Sequence, residues 1–491
     1  MMIRMVPSFG LPSFQRSKPG GAMRTGPAPA LLLVGLLGGA VLADGSPARA
    51  EQAPDLSRPV SLEEAIRLAK ERNHGLAQSR DGIDGSRGAL TSAKATYFPS
   101  LRGNLGADHS EDDSNSRRVV GTAIQEEDGT STSDGYSVSI GGGAGLFDPA
   151  SWLGARAAQR RVTASEQSYE VAEDDLVYQV TSQYFTVVRG KQLLEVAEQA
   201  YTLAGEQLER AQALYELGSV AKTDVLQAQV SRAASERDRI AARNSVEQQR
   251  AFLAVLLALP VDSPIELEEA GAYDTENLPS DEPGLIGEAL ERRPDLFRTK
   301  ADLEATGYEL RAAQWSRFPT VDLSYSYRYG KSSFSSEGTS KLFVGGAEQG
   351  RDEYSFENEP SSTSWSVGVG MNIPIFDGFL TKGSIQRAEA TRRAQQRGLE
   401  QAKLDAALEV RTSLIALKNA EEEIRSAREG VGFAEESVRL QKALYESGGG
   451  TLLQWNNAQV ELTRARVSLV EAGVNLQLAR AGLDRAIGRS E

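Results

Sequence analysis

The chain has no cysteine in 491 residues and only two histidines, His74 and His109. Without thiols there can be no disulfide, no thiolate metal site and no cysteine to carry a lipid. Two imidazoles give little material for a His-based triad or a zinc site. After residue 50 no run is long and apolar enough to cross a bilayer as a helix, so a mature chain that enters a membrane must do so as a closed barrel. Positive charge is also short: the net charge is −14. Without residues 1–50 it becomes −18, from 49 basic and 67 acidic residues. This balance opposes nucleic-acid binding and favours a well-solvated surface. No catalytic constellation, cofactor motif or metal-ligand spacing is evident. The Gly141-Gly142-Gly143-Ala144-Gly145 run lacks the strand–GxxxxGK[ST]–helix order of a phosphate loop, and its place in an alternating segment points to close strand packing. Clusters such as Glu421-Glu422-Glu423 belong to solvated helix faces.

What is present begins with a targeting pattern. Arg4, Arg16, Lys18 and Arg24 precede the apolar run 30–42, and Ala48-Arg49-Ala50 fits a signal-peptidase site, with Ala43 as an alternative. Residues 1–50 are therefore expected to be a signal peptide. Beyond them, apolar residues recur every seventh place: Val180, Val187, Leu194, Tyr201, Leu208, Tyr215, with Ala197, Ala204 and Ala211 between. The same register returns about 230 residues later as Val410, Leu417, Ile424, Val431, Val438, Tyr445, with Ala420, Ala427 and Ala434. A heptad held this long marks a supercoiled helix, and the recurrence marks a tandem duplication.

Each copy carries the same order of elements. In residues 51–260, Ser61-Leu62-Glu63-Glu64 is a capping box, and helical pattern resumes near Gly82 until Phe98-Pro99 stops it. Strands are expected at about 100–108 and 136–146, with a polar loop between them. A helical hairpin follows at about 149–257, capped by Asp148-Pro149. Residues 261–283 form an acidic, proline-containing linker. In residues 284–491 the order repeats, with strands at about 320–330 and 364–375 around a second polar loop, and a hairpin at about 378–487. Strands of about ten residues, apolar on one face and polar on the other, suit an outer-membrane barrel. Four strands cannot close one alone, but several chains could. The fold class expected is α+β: long antiparallel coiled-coil hairpins plus four transmembrane strands per chain.

The motifs then show a resemblance. Ser61-Leu62-Glu63-Glu64-Ala65, Arg293-Pro294-Asp295-Leu296, Leu146-Phe147-Asp148, Ile375-Phe376-Asp377-Gly378 and Tyr215-Glu216-Leu217-Gly218, with its echo Tyr445-Glu446-Ser447-Gly448, resemble the TolC family of outer-membrane efflux and secretion channels. The resemblance implies a homotrimer whose three chains give a 12-stranded transmembrane β-barrel and a helical α-barrel across the periplasm. It implies as partners a periplasmic adaptor, an inner-membrane transporter and outer-membrane lipid, with no nucleic acid and no cofactor. The adaptor is expected at the helical tips, Leu217, Gly218, Ser219, Val220, Gly448, Gly449 and Gly450. In the family's best-known pattern, aspartates six and nine places after the second-repeat glycine ring the aperture. Here those places hold Gln454 and Asn457, while the first repeat offers Asp224 and Gln227. A closure by hydrogen bonds and packing near Trp455, less sensitive to divalent cations, is therefore expected. Export of small toxic molecules is the first functional reading. Type I protein secretion is the alternative within that class, and a non-conducting periplasmic coiled-coil adaptor is the alternative outside it.

Overall fold

The computed structural model describes residues 58–268 and 281–489. Residues 1–50, expected to be a signal peptide, and part of the linker expected at 261–283 lie outside the described residues. The first copy runs α1 (Leu62–Arg72), α2 (His74–Lys94), a short 3-10 turn, β1 (Ser100–Val120), β2 (Ala123–Phe147), α3 (Pro149–Glu216) and α4 (Lys222–Leu256). The second runs α5 (Glu282–Arg292), α6 (Pro294–Trp315), β3 (Thr320–Val344), β4 (Ala347–Asn358), β5 (Ser361–Asn372), α7 (Leu380–Glu446) and α8 (Leu452–Ile487).

The long helices begin and end for local reasons. Asp148 accepts a hydrogen bond from the Ser151 amide at the start of α3, and Pro149 supplies a preset φ. The second helix of the first copy starts at His74 rather than near Gly82. The cause is Asn73, whose carboxamide oxygen accepts from the amides of Gly75 (2.8 Å) and Leu76 (3.2 Å). At 68 and 67 residues, α3 and α7 are each roughly 100 Å long at ~1.5 Å per residue. Laterally α3 packs on α4 and α8, and α8 packs on α7, giving the order α4–α3–α8–α7. The heptad stripe is fully buried at Val180, Val187, Val410, Leu417 and Ile424. Two core clusters close around these residues, one sealed by Leu253, Leu257 and Ile265, the other by Leu476, Leu483 and Ile487. Toward the tips the same stripe is only partly covered. The outermost helices keep apolar side chains in water: Leu226 and Val230 on α4, Leu408, Ile415 and Phe433 on α7.

The strands differ from expectation in length. The segment expected to be a polar loop after residue 108 is an unbroken ladder, with β1 and β2 paired from Ser100↔Gly143 to Val120↔Ala123. β3 continues the same way through residue 344. Hydrophobic alternation ends where one face ceases to be apolar, but hydrogen-bonded pairing need not end there. Polar cross-strand partners hold it: Asn115 to Asp128 (2.6 Å), Thr130 to Asp113 (2.7 Å) and Arg117 to Glu126 (2.9 Å). The hairpin between β3 and β4 turns at Gly345 and Gly346, both at positive φ, the pattern of a type I′ turn. The fourth strand, expected at about 364–375, is β5 at Ser361–Asn372, and the segment expected to be the second polar loop holds a further strand, β4; both pair with β3. Pro360 lies between β4 and β5; it has no amide hydrogen for the ladder, and its carbonyl accepts from Ser332 instead. Where the glycine run lies in β2, a Cβ on Gly142 would fall 1.7 Å from the Ser100 carbonyl oxygen. Close strand approach is what that run provides.

Arg293 ties the two helical layers of the second copy together. Its guanidinium meets Asp295 (2.9 Å), Glu409 of α7 (2.6 Å) and the Ala486 carbonyl at the end of α8 (3.1 Å). Arg485 extends the network from Glu409 to Asp175 of α3. Burial disfavours the Arg293 charge, but the hydrogen bonds it donates to Asp295 and Glu409 reverse that effect and hold its pKa above the ordinary value. Arg293→Ala leaves Glu409 without its closest partner. It is expected to destabilise the helical domain by about 2 kcal/mol, below the ~3 kcal/mol of a fully buried pair because Glu409 is partly solvated. Denaturant melting followed by far-UV circular dichroism checks this; an unchanged midpoint would show that the network is ornamental.

Candidate functional site

Both helical tips are built by the same device. At the first, Leu217 ends α3, Gly218 takes φ +70°, the Gly218 amide donates to the Tyr215 carbonyl (2.9 Å), and the Ser219 amide donates to Leu214 (2.8 Å). At the second, Gly448 takes φ +75° and its amide donates to Tyr445 (3.1 Å), while Gly449 donates to Leu444 (2.9 Å). This paired pattern is a Schellman motif, which favours glycine at the left-handed position. Leu217 is 77% exposed at the end of the hairpin, Ser219, Gly448 and Gly449 are also exposed, and Val220 and Gly450 are half-buried. Gly450 sits against Leu444 and Tyr445, where a Cβ would come within 3.2 Å of both.

The aperture candidates fall in different surroundings. Gln454 belongs to the N-terminal cap of α8, its side-chain oxygen accepting from the Thr451 amide (2.9 Å) and hydroxyl (3.1 Å). Asn457 and Gln227 are exposed. Asp224 is half-buried in the first turn of α4, near enough to Tyr445 to act on it. Burial raises the Tyr445 phenol pKa, Asp224 raises it further, and Arg210 opposes both. Trp455 is buried, with its ring 5.4 Å from that of Tyr445.

Arg210 of α3 joins the two hairpins. Its guanidinium stands 5.7 Å from the Trp455 ring centroid and donates to Glu446 at 2.9 Å. About one turn higher, Gln207 hydrogen-bonds Gln459, and above that Arg466 of α8 donates to Gln199 of α3 (2.7 Å) and to Glu435 of α7 (3.0 Å). Above Trp455 lies a groove of about 610 Å³, bordered by Leu203, Val438, Val460 and Leu462. Neither Arg210 nor Gln207 stands out by motif. The available clue was the repeat shift: Arg210 and Glu446 are 236 residues apart, close to the shift that sets equal heights in the two hairpins.

The opposite end of the molecule carries the membrane-facing surface. Ladder pairing places Leu101, Leu105, Ala107, Tyr136, Val138, Ile140, Leu323, Tyr325, Tyr327, Trp365, Val367, Val369 and Met371 on one side of the four-stranded sheet. The other side holds Arg102, Asn104, Ser137, Ser139, Gly141, Ser324, Ser326, Arg328, Ser364, Ser366 and Gly368. The apolar side is open to solvent in the single chain, with Leu105 at 84% and Trp365 at 75% exposure. Phe98, Phe318, Phe376 and Phe379 gather where strands pass into helices, all exposed, as aromatics do at a membrane interface. Among the described residues no helix is long and apolar enough to cross a membrane, and no group of His, Asp and Glu is placed to hold a metal ion.

The sequence pattern of outer membrane efflux proteins matches residues 65–259 and 285–489. The chain belongs to that family. The two matched blocks fall within residues 51–260 and 284–491, the two copies expected from the sequence. The family places the protein in the outer membrane, with a helical extension into the periplasm, as an efflux or secretion channel. Among relatives, the outer membrane efflux protein BepC of Brucella suis is 26% identical over 439 residues, covering 87% of this chain and 85% of the relative. The outer membrane protein TolC of Escherichia coli is 23% identical, over 88% of this chain and 83% of its own length. The fold matches the open state of the MtrE outer membrane channel of Neisseria gonorrhoeae with TM-score 0.66 at 21% identity, covering 87% of this chain and 88% of that one. VceC of Vibrio cholerae matches with TM-score 0.65 at 19% identity, over 87% and 96%.

Arg210→Ala removes both the ion pair and the ring contact that join the hairpins. It is expected to raise single-channel conductance several-fold in planar bilayers; equal conductance would show that Arg210 does not hold the tips. Added divalent or trivalent cations are expected to block the wild-type channel only weakly, on the expectation that Gln454 and Asn457 take the places of a carboxylate ring. Strong block, abolished by changing a residue other than Gln454 or Asn457, would place the gate elsewhere.

Proposed function

We propose that three copies of this chain form the outer-membrane exit duct of a tripartite efflux system. The duct conducts small toxic molecules passively from an inner-membrane transporter and its periplasmic adaptor to the outside. The observation that carries this reading is the sheet: four strands share one apolar face, yet β1 and the β4/β5 pair are left as unpaired edges. An open edge cannot sit in lipid, because each unpaired backbone group costs several kcal/mol there. Joining β1 of one copy to the β5–β4 line of the next removes every edge, and with β5 and β4 counted as one broken strand three copies give a barrel of twelve. The helices support the same assembly, since α4 and α7 stand at the two ends of the helical row with exposed apolar side chains. Each would cover the other across the chain boundary.

In this assembly the tips at Gly218 and Gly448 face the inner membrane, and the exposed Leu217 and its neighbours receive the adaptor. Asp224, Gln227, Gln454, Asn457 and Trp455 lie within the first turns beyond those tips, where the duct narrows. The polar side of the sheet lines the water-filled path. Energy comes from the transporter, and the duct supplies the path.

Purified protein is expected to migrate as a heat-modifiable trimer from outer-membrane fractions and to conduct ions across lipid. A soluble monomer without conductance would sink the reading. Val367→Arg places a charge at mid-height on the apolar face, where it costs about 2–4 kcal/mol in lipid. The trimer yield in the outer membrane is expected to fall sharply, whereas Ser366→Arg on the polar side is expected to leave it largely intact.

A further inference from the structure

The polar side of the sheet is built from serine, glycine and asparagine with few exceptions. Along the rows between Asp322 at the helical end and Asp108 beyond the apolar belt, its charged side chains are Arg102 and Arg328. Arg102 stands opposite Gly141 and, one strand further, Ser326; Arg328 stands opposite Ser139 and, one strand further, Asn104. The two arginines are thus one row and two strands apart, roughly 12 Å at ordinary sheet spacings. Both are exposed, and among the described residues neither makes an ion pair or a side-chain hydrogen bond. A guanidinium keeps its charge at any physiological pH. Arg117, on the other side of the same ladder, instead pairs with Glu126.

We propose that Arg102 and Arg328 form a cationic ring at the level of the lipid belt that makes the duct prefer small organic anions, those bearing carboxylate, sulfonate or phosphate groups, over cations of equal size. The proposal rests on the trimeric duct described above, in which two arginines per chain become six around one lumen. Closing the barrel does not neutralise them. The strand that meets β1 across the chain boundary is β5, whose polar side, Ser362, Ser364, Ser366, Gly368, Gly370 and Asn372, offers no carboxylate at any register. The neighbouring side chains are too short to screen the charges. At physiological salt the Debye length is ~8 Å, shorter than the spacing of the two arginines, so the preference is expected to grow as salt is lowered. Rings of Arg or Lys are a known physical basis of anion preference in pores. At the expected aperture Gln454 and Asn457 are uncharged amides and Asp224 is the one carboxylate, so Asp224→Asn is made in the same background to separate its contribution to selectivity from that of the arginines.

The test is the reversal potential of single channels in a KCl gradient. Wild-type channels are expected to favour chloride over potassium. The double substitution R102Q/R328Q is expected to reduce the ratio at least several-fold, and R102E/R328E to invert it. Arg117→Gln, on the other side of the sheet, should leave the ratio unchanged. Arg328→Cys guards against variants that do not assemble. In a chain without cysteine it adds one unique thiol, so selectivity can be read on a single folded channel before and after modification. A cationic methanethiosulfonate is expected to restore the anion preference and an anionic one to diminish it further. Conducting channels whose selectivity ignores both substitution and modification overturn the ring but leave the duct standing. Trimers that never conduct overturn both.

Discussion

Strand register is the constraint on which the rest of the molecule depends. Side chains alternate with period two, so a slip of one residue in β2 or β3 would turn Val138, Ile140, Tyr325 and Tyr327 to the polar side and bring Ser139, Ser326 and Arg328 into lipid. Nothing in the helices could compensate for that. The structure fixes register by close contacts at the helical end of the sheet. Tyr325 donates its hydroxyl to the Ser100 carbonyl at 2.5 Å, a reach made possible by the missing side chain at Gly142. The long polar ladder beyond the belt reinforces the same pairing, because each added cross-strand pair must be broken for the sheet to slip.

The helical part meets a different requirement. A stripe with period seven buries large residues against alanine over many turns, so α3 and α7 can be very long without a conventional globular core. The two compact clusters and the Arg293–Glu409–Arg485–Asp175 network hold the helices where they pass one another in mid-length. Toward the tips the apolar hold shrinks to a small cluster of Leu208, Ala211 and Ala228, beside polar contacts and the Tyr445–Trp455 ring contact. Among the described residues, Tyr445, Trp455 and Asn456 there contribute buried polar atoms without partners. Groups left in this way favour any rearrangement that would satisfy them. The tips are therefore the least settled part of the helical domain.

Much of this was legible in the sequence because two periodicities dominate it. The heptads of 180–215 and 410–445 marked the long helices, and the alternation of Tyr136 to Leu146 and of Trp365 to Ile375 marked strands. The boundaries of β1 and β3 were not legible: alternation reports contact with lipid, whereas pairing among Asp113, Asn115, Asp128 and Thr130 leaves no hydrophobic trace. The helix start at His74 was hidden because Asn73 caps it within a segment of weak apolar pattern. Among the tip residues, the glycines were visible from their conformational role. Arg210 and Gln207 were not, since their partners are more than 230 residues away. That Gln454 turns back to cap its own helix is likewise a matter of local geometry that spacing alone does not give.

The ladder that rises past the apolar belt has a consequence for where a transported molecule is set free. From Asp108 to the turn after Val120 the sheet climbs roughly 30 Å, allowing for the tilt usual in barrels. A greasy compound leaving at that parapet emerges in water well clear of the bilayer surface, rather than beside the leaflet that would readily dissolve it again. Height above the lipid thus acts as a barrier to re-entry, built from the polar residues that at first resemble mere loop.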